Sequence, residues 1–317
     1  MSKVVRKIGK RLYSCTALII VLVLWELLPR AGIVSKVYLP PLSSVLAELI
    51  WELKNGYLFL NVILSLYRVL AGLLLAVAVG ILLGLILGYL LPGLADSLFP
   101  LLRIFGQINP YSMLPLFVVF LGIGEKSKIA MVAWTAIWPI LFHTITGARA
   151  VDTELLKSAR SMGATKAEIL GKIILPASGP SIFDGLRVGV EMSFFMLIAV
   201  EMSGGTGGLG IVIHVAGMNF LITRLLGAGL CTVILGVCLN QFFYYMQKRI
   251  FFWKETVRFF NREQPSGHER SMGVVQIVII CLLCIMILVT GYFQSIRAYR
   301  LVNDPENSGE FGNIQSE

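Results

Sequence analysis

Charged side chains are scarce in this sequence. Asp, Glu, Lys and Arg make up 14% of its 317 residues, against about 25% in soluble domains. Hydrophobic residues make up 56%. A soluble globular enzyme is excluded as the first reading, because repeated runs of about 20 apolar residues suit a chain solvated by lipid. Histidine is nearly absent: His143, His214 and His268 stand far apart and form no ligand motif. Cysteine is limited to Cys15, Cys231, Cys238, Cys281 and Cys284, all in or beside apolar runs. Cys281 and Cys284 form one C-x-x-C with no second pair, so no zinc or redox centre is expected. No G-x-x-x-x-G-K-[ST] stretch occurs, so no nucleotide or other cofactor is expected on this chain. No catalytic constellation is visible. A net charge of +9 suggests nucleic acid in a soluble protein. Here the lysines and arginines flank apolar segments, so membrane topology explains them without a nucleic-acid partner.

What is present is a series of apolar runs. The fold class expected is all-α, a polytopic membrane protein. Lys3, Arg6, Lys7, Lys10 and Arg11 precede a first span, about Cys15 to Leu28. No small-x-small cleavage site follows Pro29, so this span is expected to be retained. Residues 30–61 form an outer, amphipathic segment in which Ser43 or Ser44 caps a short helix. The second span is about Val62 to Leu91. Gly72, Ala76, Gly80, Gly84 and Gly88 recur every fourth residue along it and predict close packing against another helix. Arg68, near the membrane boundary, is expected to snorkel.

The third span, about Leu98 to Leu121, holds Arg103, Gln107, Asn109, Pro110 and Pro115. Prolines and polar groups at that depth predict a broken or kinked helix facing protein or a water-filled path. A kink with satisfied polar groups and no solute contact is the equal alternative. The fourth span is about Lys128 to Gly147 and the fifth about Ile182 to Met202. Within the fifth, Asp184–Arg187 and Arg187–Glu191 have the spacing of pairs on one helix face. Together with Glu201 they form either a structural ion network or a functional path. GGTGGLG, residues 204–210, reads as a flexible outer loop leading into a short re-entrant or surface helix, Leu209 to Leu221. The sixth span is about Leu225 to Met246. A polar linker, 255–271, and a seventh apolar run, Met272 to Phe293, end in a polar tail.

One stretch breaks the apolar pattern: Asp152 to Pro176, DTELLKSARSMGATKAEILGKIILP. Glu154, Leu155, Leu156 and Ala159 start a helix. Gly163 sits where a left-handed residue ends it. Thr165 and Glu168 have capping-box spacing. Ile169, Leu170, Ile173 and Ile174 supply the apolar stripe of a second helix, which Pro176 is expected to stop.

Gly163, nine residues, Ile173, one residue, Leu175 and Pro176 resemble the coupling-loop motif of ABC importer permeases. Lys157 stands where that family has Glu, and Ser158 where it has Ala; Ala159 matches. LPPLSSVL (39–46), SLYRVLAG (65–72), INPYSMLPLFVVFLGIGEKSK (108–128), GLR (185–187) and Glu201-Met202 also resemble the family. Asn109 replaces a usual proline. Within the family the chain looks most like the nitrate, sulfonate, taurine and bicarbonate branch. The resemblance covers residues 39–254 and implies a six-span core, 62–254 being the permease core proper; the apolar run within 272–317 adds one extra C-terminal span beyond what the resemblance covers. It implies a non-enzymatic subunit that imports a small anion by alternating access. Its partners would be two ATPase subunits holding ATP-Mg, a second permease subunit (a homodimer), an extracytoplasmic binding protein and lipid. The coupling residues carried over are Lys157, Ser158, Ala159, Gly163, Ile173, Leu175 and Pro176. Arg103, Asn109, Glu191 and Glu201 are the solute-path candidates.

An ion-coupled secondary transporter would use Asp184, Arg187, Glu191 and Glu201 as a relay, but it leaves the coupling-loop spacing unexplained. A non-transporting scaffold would use the same loop only to recruit a partner. Lys and Arg concentrate in the N-terminal tail, around the 152–176 loop and after the sixth span. The positive-inside rule then puts the N-terminus and that loop in the cytoplasm of a bacterial inner-membrane protein, with the C-terminus outside.

Overall fold

The structure, a computed structural model, describes residues 16, 19–204, 207–251 and 274–303, and in the last segment the side chains of 280 and 282–296. No strand occurs among the described residues. The helices are α1 (19–30), α2 (Leu42–Lys54), α3 (Tyr57–Leu85, extended by a π turn Ile86–Leu90), α4 (Pro92–Gln107) and α5 (Leu114–Leu121). They continue with α6 (Glu125–Arg149), α7 (Thr153–Ser161), α8 (Lys166–Ile169), α9 (Leu175–Met202), α10 (Leu209–Met218), α11 (Ile222–Ile250) and α12 (Val274–Asn303). The N-terminal tail, the 255–271 linker and the polar tail lie outside the described residues.

The small-residue ridge of α3 organises the bundle. In lipid, helices gain little from burying apolar surface, so close backbone approach matters more. Along α3, Gly72 meets Val132, Gly80 meets Ile140, Gly84 meets Thr144 and Gly88 meets Ala148 on α6. Ala76 and Ala136 are buried in the same core cluster. A fixed offset holds throughout, so α3 and α6 run the same way. A Cβ added at Gly72 would lie 2.5 Å from Val132 Cγ1, and one at Gly84 would lie 2.5 Å from Thr144 Cβ. An adjoining face of α6 packs on α9, which runs the other way: Gly147 meets Ser181, Gly185 meets His143, and Gly189 meets Ala136. Thus α6 is the central helix.

Because α3 and α6 are parallel, the chain must return between them. It does so through α4 and α5, bent 86° to each other at residues 108–109. Here the expected broken third segment is found, beginning at Pro92 and therefore earlier than Leu98. Among the described residues three helices are long and apolar enough to cross a bilayer: Tyr57–Leu90, Glu125–Arg149 and Ile222–Ile250. The bent pair makes a fourth if taken as one span. At 28 residues α9 has the length, but Asp184, Arg187, Glu191 and Glu201 lower its apolarity. The expected seven-span count is therefore met only in part on composition and length.

Pro176 does not stop the helix. Leu175 keeps helical dihedrals (φ −60°, ψ −47°), and Pro176 sits in the first turn of α9. Just before it the backbone widens into a π turn, Leu170–Ile174. A π turn shifts the hydrogen-bond register by one residue, which accommodates the missing N–H of a proline. The fifth segment thus begins at Leu175, not near Ile182. Similarly, α10 is no surface helix: Leu209, Gly210, Val212 and Ala216 are buried.

Candidate functional site

At one end of the bundle, where α3 and α6 finish and α9 begins, the polar stretch 152–176 forms a knob. Asp152 caps α7 by accepting the N–H of Glu154 at 2.9 Å. The helix ends at Gly163, whose φ is +82°. The N–H of Gly163 donates to Arg160 O at 3.0 Å and that of Ala164 to Ala159 O at 3.1 Å. These two bonds complete a Schellman motif, which needs a left-handed residue at this position. Thr165 and Glu168 then form the full capping box. The Glu168 carboxylate accepts the Thr165 N–H at 3.0 Å and its hydroxyl at 2.9 Å, and it faces Lys172 at 3.3 Å. These bonds, the backbone one foremost, hold its pKa down to about 2.

The knob is anchored from below. Ala159, Ile169 and Ile174 share a buried cluster with Leu85, Ala148 and Val151, and Ile173 packs against it. Lys157, Ser158 and Gly163 are exposed, as is Pro176. Leu175 is 41% exposed and Met162, at the turn, 87% exposed. Residues named for coupling therefore divide into an anchoring set (Ala159, Ile173) and an outward set (Lys157, Ser158, Gly163, Leu175, Pro176).

The opposite end of the bundle holds a buried ion cluster that sequence reading missed. Arg68 does not snorkel. Its side chain is wholly buried, with Nη1 donating to Glu201 Oε1 at 2.5 Å and to Gly207 O at 2.7 Å. Its Nε and Nη2 donate to Glu125 at 2.7 and 2.6 Å. Eleven residues into α3, the arginine stem is too deep in the bundle to reach water, and two carboxylates replace the solvent instead. Glu201 also accepts from the Ser65 hydroxyl at 2.9 Å and the Gly210 N–H at 2.9 Å. Asn61 accepts the Gly208 N–H at 2.7 Å and Ser65 that of Leu209 at 2.9 Å. The expected flexible loop is therefore pinned over residues 207–210; Gly205 and Thr206 lie outside the described residues. At Gly208 (φ +116°) a Cβ would lie 2.3 Å from the Glu201 carboxylate, so only glycine fits. An arginine and two glutamates in or beside apolar runs were the available signal, since such charges must find one another.

The four charged groups of α9 do not form one network. Glu201 is enclosed at the far end with every oxygen engaged. Arg187 Nε reaches Glu191 at 3.6 Å, as the spacing predicts. Asp184 turns away from Arg187 and accepts from Gln247 Nε2 at 2.6 Å. Glu191 lines a cavity of about 570 Å³ between α9 and α11, walled mainly by Phe194, Phe195, Ile198, Val233 and Val237. Arg103 lies exposed on α4 and makes no ion pair among the described residues. Asn109 caps the turn at Pro110, accepting the Tyr111 N–H at 3.0 Å. No metal-ligating cluster occurs among the described residues.

Comparisons with known proteins agree with this geometry. Residues 80–252 match the family described as binding-protein-dependent transport system inner membrane component. The chain is 36% identical over 246 residues to a putative ABC transporter permease of Methanocaldococcus jannaschii, covering 74% of this chain and 90% of that one. It is 30% identical over 251 residues to the taurine transport system permease of Escherichia coli, covering 77% and 90%. Relatives named for aliphatic sulfonates, nitrate and bicarbonate match as well. Among solved structures, an inward-facing form of the MetNI methionine ABC transporter superposes with a TM-score of 0.54 at 21% identity, covering 62% of this chain and 97% of that chain.

Proposed function

The chain belongs to the family of binding-protein-dependent transport system inner membrane components, and from that premise we propose that it carries a small anion inward by ATP-driven alternating access. It is a transport subunit of an ABC importer, a multi-pass inner-membrane protein and not an enzyme. The reading rests on one observation above all. The polar knob presents an exposed helix–Gly–helix turn, yet it is rooted in the same buried cluster as the ends of α3, α6 and α9. A push on the knob is thereby transmitted to three bundle helices as a packed body. On this reading two ATPase subunits, carrying ATP-Mg, press on two such knobs. A second copy of this permease completes the path, and a binding protein delivers solute at the opposite end. The N-terminus and the knob lie in the cytoplasm. The solute is of the nitrate, sulfonate, taurine or bicarbonate kind, a class supported by the names of the relatives.

The relay reading of an ion-coupled transporter gains no support, because Glu201 is held by Arg68 apart from the Arg187–Glu191 pair. Reconstitution of the full chain with its ATPase and binding protein in liposomes tests the proposal. Uptake should require internal ATP on the ATPase side and survive collapse of ion gradients. Uptake driven by a gradient without ATP would reject it.

A further inference from the structure

The outward face of the knob is cationic around an apolar tip. Lys157 and Arg160 lie three apart on α7 and so share a face; Lys166 opens α8, and all three are exposed. None of them makes an ion pair among the described residues, whereas Lys172 is paired with Glu168. The acidic groups nearby are mostly engaged within the knob: Asp152 caps α7, and Glu168 closes the capping box. Asp152, which keeps its charge as the cap, and Glu154, one turn before Lys157, offset part of the three, while Arg160 and Lys166 lie farther along toward the turn. Between Arg160 and Lys166 in the chain, Met162 stands 87% exposed; Leu155, half exposed, lies two turns earlier on α7.

We propose that the knob is received by an acidic cleft with an apolar floor on the partner ATPase, in which carboxylates face Lys157 and Arg160 and the floor takes Met162. The inference rests on the reading of the knob as the ATPase dock. Lys157 is its distinctive element, because the family motif carries Glu there, and an exposed cation at that point suits a carboxylate on the partner. Charge complementarity of this kind selects partners and raises association rates. Thus Lys157 and Arg160 determine which ATPase this permease accepts.

The test uses the full-length chain and the ATPase that stays with it through purification, identified by its sequence and by ATP hydrolysis. Lys157→Glu with Arg160→Glu should lower the ATPase retained per chain by about tenfold or more, since attraction becomes repulsion. Wild-type retention should fall with rising salt. A single Asp or Glu to Lys change in the ATPase should restore retention to the reversed variant. Gly163→Val, which strains the turn without touching charge, is the control. If wild type holds no ATPase, or Gly163→Val holds it with full uptake, the dock itself is rejected. Should Gly163→Val lose the ATPase while charge reversal changes nothing, only the acidic cleft is rejected. If reversal changes only the dependence of activity on phosphatidylserine in the vesicles, the cations face lipid and the proposal is overturned.

Discussion

Nη1 of Arg68 lies 2.5 Å from Oε1 of Glu201, and both side chains are wholly buried. The two residues sit on α3 and α9, and the pair ties the far ends of those helices to residues 207–210. Removing one partner of a buried pair leaves an uncompensated charge and costs about 3–5 kcal/mol. Arg68→Met and Glu201→Leu should therefore each lower the unfolding temperature in detergent sharply. The double variant should be less destabilised than the sum of the two. Strictly additive losses would show that the pair is not the reason.

Glycines of the α3 ridge differ in the room they leave. A Cβ at Gly72 or Gly84 meets α6 side-chain atoms at 2.5 Å, whereas at Gly80 the nearest atom is at 3.0 Å. Overpacking of this kind costs about 1–3 kcal/mol. Gly72→Ala and Gly84→Ala should each destabilise the protein more than Gly80→Ala, as read by thermal unfolding. Equal tolerance at all three positions would reject the close contact.

Gly163 has a left-handed φ of +82° and open space where a side chain would go. Strain, not crowding, decides substitutions there. Asn enters the left-handed region at little cost, whereas a β-branched residue pays about 1–2 kcal/mol. Gly163→Asn should retain uptake and ATPase association close to wild type, and Gly163→Val should lose most of both while inserting normally. Equal behaviour of the two variants would count against a strained turn.

The Glu168 carboxylate is held below its ordinary value of 4.5, to about 2, by the Thr165 backbone N–H and hydroxyl and by Lys172. A depressed folded pKa stabilises the start of α8 above pH 4.5, and the effect is lost as pH falls from there toward 2. At pH 7, Glu168→Ala should raise amide exchange over Lys166–Ile169 several-fold. Glu168→Gln, which still accepts the cap N–H, should fall between. Unchanged exchange in Glu168→Ala would remove the capping box as the cause.

At its later turns α12 packs along α3, and Gly291 faces Tyr67 there. A Cβ at Gly291 would lie 2.2 Å from Tyr67 Cβ. Gly291→Leu should push α12 off α3 while leaving the α3–α6–α9 bundle, and with it ATP-driven uptake, intact. Disulfide trapping between cysteines placed at Tyr67 and Thr290 should then fall relative to the same pair with Gly291. Persistent trapping would show that the approach of α12 to α3 does not depend on the glycine at 291.

Much of this protein is written locally. Apolar runs specify spanning helices because lipid leaves the backbone no other partner. The four-residue repeat from Gly72 to Gly88 marks a packing ridge, since it lies on one helix face. The Gly163 turn and the Thr165–Glu168 capping box span only a few residues, so their spacing is legible before any fold is known. Three matters needed the tertiary structure. The fate of Arg68 depends on Glu125 and Glu201, which only the bundle brings to it. The helix continues through Pro176 because α9 is held along α6 and a π turn accommodates the proline, while proline chemistry alone predicts a stop. The loop after Glu201 is rigid over 207–210 because Asn61 and Ser65, far back in the chain, take up its N–H groups. A local pattern shows that a charge or a turn must be satisfied; only the packing of distant helices decides by what.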